Sequence, residues 1–199
     1  MPGNIRLYGT SGYVELAAPA TGNNAVLTLP NDSIQPGLVL ITTQSFSAAS
    51  SISINNCFSS TYSNYLIVID ITSTAANPSG WSIRLRSSGT DATTNYGRQK
   101  LEAYGTVVEG NINTTLGYMQ VGNPATSTVT SGGTMSVQMF RPFENVATRY
   151  LSHHGTGDGT SVGVWGGYHS TASSYDGMTF YPQASTMSGI LRIYGYRNL

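Results

Sequence analysis

Apolar and polar residues alternate one for one along most of this chain, and that alternation restricts it to strands. In Trp81–Ser88, Trp81, Ile83 and Leu85 fall on one face and Ser82, Arg84 and Arg86 on the other. Met135, Val137 and Met139 share a face in the same way. So do Leu191 and Ile193, with Arg192 and Tyr194 opposite. A period of two sends successive side chains to opposite sides of an extended backbone, whereas an amphipathic helix repeats every ~3.6 residues. Residues 64–71, NYLIVIDI, are apolar on both faces, which predicts a central strand covered on both sides. Further strands are predicted over 38–46, 51–56, 96–104, 112–121, 148–154, 161–168 and 177–182. RQKLEAY (98–104) is the best helix candidate, but it is short and reads equally well as a strand. Turn-forming clusters such as STAANPSG, SSGTDATTN and HGTGDGTS separate these segments. The resulting spacing predicts an all-β fold, an antiparallel β-sandwich or jelly roll.

Composition agrees. Only 9% of residues are charged, against about 25% in an ordinary domain. Ser and Thr supply about a quarter of the chain, and lysine occurs once, at Lys100. The formal net charge is zero, so nothing marks a nucleic-acid or anionic-membrane partner. Cys57 is the single cysteine, so no intrachain disulfide forms, and it is expected to be a small buried residue. No run approaches the ~18 apolar residues of a membrane helix. The start, MPGNIRLYGT, has neither a basic nor an apolar signal region. The chain is therefore expected to be made in a cytoplasm and to stay soluble or assemble there.

Residues 1–36 differ from the rest. Short extended pieces are broken by Pro19, Pro30 and Pro36, too little to close a core. A boundary near Pro36–Gly37 divides an N-terminal extended arm (1–36) from a β-sandwich head (37–199). IRLYG near the start and LRIYG near the end share strand chemistry, not a repeat. In the final strand Leu191 and Ile193 are expected in the core, with Arg192 and Tyr194 outward or at a subunit contact.

No catalytic set stands out. The nine acids, Glu15, Asp32, Asp70, Asp91, Glu102, Glu109, Glu144, Asp158 and Asp176, are scattered over turns and polar faces. His153 and His154 are adjacent, so in a strand they point apart and share no metal; they are read as the start of a solvated loop. No Gly-x-Ser-x-Gly elbow and no phosphate-cradling glycine loop occur. The expectation is a protein without catalytic residues, cofactor or metal. Tyrosine is abundant and suits interfaces and sugar stacking. Trp165, set between glycines that would expose it, is the leading candidate for a glycan or partner contact, with Tyr168 and Tyr175.

FSSTYSNYLIVIDIT (58–72), SIRLRSSGT (82–90), NYGRQ (95–99), the closing SGILRIYGYRN and the early GYVELAAPATGNNAVLTLP together resemble virion structural proteins of tailed bacteriophages, of the marine and cyanobacterial phage kind. The resemblance implies a homotrimer with a jelly-roll or sandwich head and an arm that fixes it to the particle. It also implies the role of a capsid decoration or cement protein, a head fibre or a tail-fibre tip. The partners would be copies of itself and the major capsid protein or other virion proteins. Leu16, Val26, Leu27 and Leu29 are the candidate docking contacts of the attachment arm. The chain carries no collagen-like repeat or coiled coil to act as a shaft, which favours decoration of the shell. The alternative is a tail-fibre or adaptor protein that binds host surface glycan. A polysaccharide depolymerase, acting through a carboxylate pair, is a third reading.

Overall fold

The computed structural model describes residues 5–9, 12–16, 37–75, 79–123 and 132–197. Met1–Gln35 and Pro36–Leu199 form two compact units. In the first, β1 (Ile5–Gly9) and β2 (Gly12–Leu16) make an antiparallel hairpin that pairs Ile5 with Leu16 and Tyr8 with Tyr13.

Strands are the only regular elements among the second unit's described residues. Its strands are β3 (Leu38–Ala49), β4 (Ile52–Ile54), β5 (Asn64–Thr74), β6 (Trp81–Ser87), β7 (Thr90–Asp91), β8 (Tyr96–Tyr104), β9 (Val107–Leu116), β10 (Met119–Gly122), β11 (Gly133–Phe140), β12 (Val146–Thr156), β13 (Ser161–Ser173), β14 (Gly177–Pro182) and β15 (Met187–Tyr196). Eight of them form one antiparallel sheet in the order β3-β15-β5-β11-β12-β13-β8-β9. A second sheet runs β10-β6-β14-β4, with β7 paired to β6. The fold is an antiparallel β-sandwich. The short turn from β6 to β7 places Ser88 at φ 50° and Gly89 at φ 81°, the two positive φ values that a type I′ hairpin needs.

The alternation seen in the sequence builds the core. Tyr65, Ile67, Ile69 and Ile71 of β5, Met135, Val137 and Met139 of β11, and Leu191 and Ile193 of β15 line the inner face of the large sheet. Trp81, Ile83 and Leu85 of β6, with Met178 and Phe180 of β14, oppose them from the small sheet. Each such side chain contributes roughly 1.5–3 kcal/mol by leaving water. Tyr65 fixes the entry to β5: its hydroxyl accepts from the Ser59 amide at 2.7 Å and donates to the Ser59 carbonyl at 2.9 Å. Cys57 is buried, and burial pushes its thiol up to about 12. The final strand β15 lies between β3 and β5, so the closing residues are an internal member of the large sheet.

Two sequence expectations change. Residues 112–121 are not one strand: the chain breaks after β9 and joins the other sheet as β10. The break lies at Gly117, where a Cβ would come within 2.8 Å of the Thr93 carbonyl oxygen. A side chain there would collide with backbone. The strand expected to be covered on both faces, β5, is covered on one. Leu66 and Val68 on its outer side are only half-buried. RQKLEAY belongs to β8, a strand.

Candidate contact surface

Strand β8 presents its charges to the interior. Its register with β13 pairs Lys100 with Trp165 and Glu102 with Gly163, and on the opposite face Leu101 with Val164. Trp165 is fully buried, so Arg98, Lys100 and Glu102 share the inner side with it. Glu102 is 1% exposed and surrounded by donors. Lys100 Nζ lies 2.9 Å from it, Ser161 Oγ 2.7 Å, Asn123 Nδ2 2.7 Å from both carboxylate oxygens, and His154 Nε2 3.3 Å. Burial alone would raise the Glu102 pKa, but the hydrogen bonds from His154, Lys100, Ser161 and Asn123 outweigh it and bring the carboxyl down to about 2. Burial likewise opposes the Lys100 charge, and its bonds to Glu109 and Glu102 more than restore it. The Arg98 guanidinium and the Lys100 ammonium stand over the Trp165 ring at 5.1 and 5.7 Å. Arg98 also donates to Gln120 Oε1 at 3.0 Å and to Asn111 Oδ1 at 3.0 Å.

With the charges inside, the outer side of this part of the sheet is aliphatic. Leu101 is 59% exposed, Val108 70%, Ile112 66%, Val162 61% and Val164 41%. The registers place them on one face: His153, Val164, Leu101 and Gly110 form one cross-strand row, Gly155, Val162, Ala103 and Val108 the next on one side, and Leu151, Gly166, Gln99 and Ile112 the next on the other, with Gln99 the exposed polar side chain of that last row. Across β13, β8 and β9 these rows contain no Asp, Glu, Lys or Arg. Together the five residues expose on the order of 300 Å² of aliphatic surface, taking about 100 Å² per side chain. That is the size of the largest apolar patch on an ordinary monomer, a patch that is often functional.

The outer face of the small sheet is built in the opposite way. Arg86 donates to Thr179 Oγ1 at 2.7 Å, Asn55 Oδ1 at 3.0 Å and Ser53 Oγ at 3.1 Å, and pairs with Asp91. Arg84 lies 5.1 Å over the Tyr181 ring and donates to the Gly117 carbonyl. Polar groups here are engaged with one another.

The candidates proposed from sequence do not converge. Trp165 is not exposed by its glycines. Gly163 and Gly167 share its inward face, and they make room for rings. A Cβ at Gly163 would lie 2.6 Å from the His154 ring and 3.0 Å from the Trp165 Nε1, and one at Gly167 would lie 2.7 Å from the Tyr150 ring. Trp165 is thus inaccessible as a sugar platform. Tyr168 points to the other side of β13 and lies over Gly97, where a Cβ would be 2.6 Å from its ring. Tyr175 is buried against His169, its hydroxyl 3.3 Å from Nδ1. Of the arm candidates, Leu16 ends β2, and Val26, Leu27 and Leu29 lie outside the described residues. His153 and His154 do point to opposite faces, but mid-strand in β12, not at a loop: His153 is exposed and His154 buried. Reading the acids as scattered missed the cluster at Glu102. Its signal was Arg98-x-Lys100-x-Glu102, three charges on one face of a chain otherwise poor in charge.

Ser161, His154 and Glu102 form a set of the kind that activates nucleophiles, yet the geometry works against that chemistry. All three are buried, and the Ser161 hydroxyl donates to Glu102 at 2.7 Å, while His154 Nε2 stands farther off at 3.5 Å. Among the described residues no three His, Cys, Asp or Glu side chains come together as metal ligands do. Among the described residues, the outer side of β13, β8 and β9 exposes a run of aliphatic side chains. Fold and surface therefore define an all-β sandwich with an exposed aliphatic sheet face. Searches against protein-family models, curated proteins and solved structures find no match for the chain.

Proposed function

We propose that this chain is a bacteriophage virion structural protein: a homotrimeric capsid decoration or cement protein, held to the shell through residues 1–36, that works by contact. The observation that carries this reading is the bare aliphatic face of β13, β8 and β9. A neutral surface of this kind recognises another protein surface by shape and burial, the interaction a virion component repeats around its shell. The motifs at 58–72, 82–90 and 188–198 supply the virion part of the reading. Burial of Trp165 weighs against the tail-fibre alternative, in which exposed aromatics stack on host glycan.

Immunogold labelling of purified virions, with antibody raised against the full chain, tests the proposal. Gold distributed over the capsid faces is expected. Gold confined to tail appendages replaces decoration by the tail-fibre reading, and unlabelled particles overturn the virion assignment.

A further inference from the structure

The aliphatic face has relief as well as composition. Leu101, Val108 and Ile112 stand up on the β8–β9 side. On the β12 side Gly155 leaves a hollow of about 310 Å³ lined by Val68, Ser136, His153, Gly155, Val162 and Val164. A Cβ at Gly155 would meet nothing within 4 Å. Ridge and hollow sit two strands apart, about 10 Å, on the same side of the same sheet. We propose that the occupant of this face is a second copy of the chain, with the Leu101–Val108–Ile112 ridge of one copy seated in the Gly155 hollow of the next.

Three observations favour a copy over an unrelated partner. The face carries both halves of a complementary contact, so each copy offers what the next one needs, and two or three copies close on such a contact. No Asp, Glu, Lys or Arg stands on β13, β8 or β9 within the patch or lines the hollow, where His153 is the exposed titratable group and Asp70 of β5 lies beyond Thr134 in the Gly155 row, so ridge and hollow meet without the like-charge repulsion that charged faces incur. The exposed aliphatic area has the size of the apolar centre of an interface burying about 800 Å² per partner. The inference rests on the reading of the chain as a self-assembling contact protein, and it names the surface through which assembly runs.

Two measurements on the full chain test it. Sedimentation equilibrium of wild type should give an oligomer, and Leu101→Asp should weaken association by more than about tenfold. Circular dichroism should be unchanged, since residue 101 is exposed. A wild-type monomer overturns the inference, as does an oligomer that Leu101→Asp leaves intact. In the second, Leu101→Cys protein is mixed with Gly155→Cys protein under mild oxidation. Both positions are open, and Cys57 is buried with its thiol held protonated. A disulfide-linked pair containing one chain of each variant is expected. Its absence overturns the ridge-in-hollow contact even where Leu101→Asp fails to fold. Capsid labelling by immunogold with a monomeric wild type would leave the virion assignment standing and sink only this inference.

Discussion

Strands β6 and β8 carry the same alternation and are turned opposite ways. In β6, Ile83 and Leu85 enter the core while Arg84 and Arg86 face out. In β8, Arg98, Lys100 and Glu102 face in while Leu101 faces out. The difference lies in the neighbours. β6 faces the isoleucine and methionine surface of the large sheet, which accepts only apolar partners. β8 lies beside β13, which places Trp165 and Ser161 on the inner side, and these with His154 and Asn123 furnish a cation–π face and donors for a carboxylate. An inward charge is tolerable only where its partners are in place. Once Glu102 is so partnered, the alternation leaves Leu101 nowhere but solvent. The aliphatic outer face is the other side of a satisfied interior.

The comparison breaks most severely at Glu102. Glu102→Leu removes one of the two carboxylates that compensate the largely buried Lys100 and leaves the buried Ser161 and His154 donors without their acceptor, and a cost of about 3–5 kcal/mol is expected in chemical denaturation. A loss below about 1 kcal/mol would mean that the inner charges are ornamental and that β8 could as well face the other way.

Acid should act through the same carboxyl with a slightly smaller effect. The Glu102 pKa lies near 2 in the folded chain, against an ordinary 4.5. Its contribution is therefore present above about pH 4.5 and is lost as pH falls towards 2. The full difference corresponds to about 3 kcal/mol. His169, whose pKa burial lowers against the pull of its bonds to the Thr171 and Thr94 backbone, adds an earlier decline below its ordinary 6.5. Denaturation of wild type and Glu102→Gln across this range separates the two. Between pH 4.5 and 2 the wild type should lose stability faster than the variant, and parallel curves would refute the assignment.

The contrast also explains what could be read from the residues alone. Alternation located β6, β11 and β15 and assigned their inner faces correctly, because each has one apolar face and one polar face and the core is apolar; β5, apolar on both faces, carries no such signal, and its expected cover on both sides is found on one only. In β8 the same reasoning points the wrong way: the pattern separates Arg98, Lys100 and Glu102 from Leu101, but which set faces inward depends on residues some fifty positions away in β12 and β13. Trp165 failed for a related reason. Glycines beside an aromatic can expose it or make room for it, and only the rings of His154 and Tyr150 on the neighbouring strand decide. Gly117 likewise looks like an ordinary strand glycine until Thr93 is brought against it.

The smallest effect gives the sharpest test, because it compares one residue type in the two orientations. Leu85 is fully buried, and Leu85→Ala should cost about 2–5 kcal/mol as a core truncation. Leu101 makes its contacts in solvent. In dilute protein, where copies are separate, Leu101→Ala should stay within about 0.5 kcal/mol of wild type. At high concentration the Leu101 variant should fall further behind, since wild type then gains stability from association and the variant does not. A Leu101→Ala cost that is large and independent of concentration would show that this side chain is packed within its own chain, and the outward face of β8 would lose its claim as a contact surface.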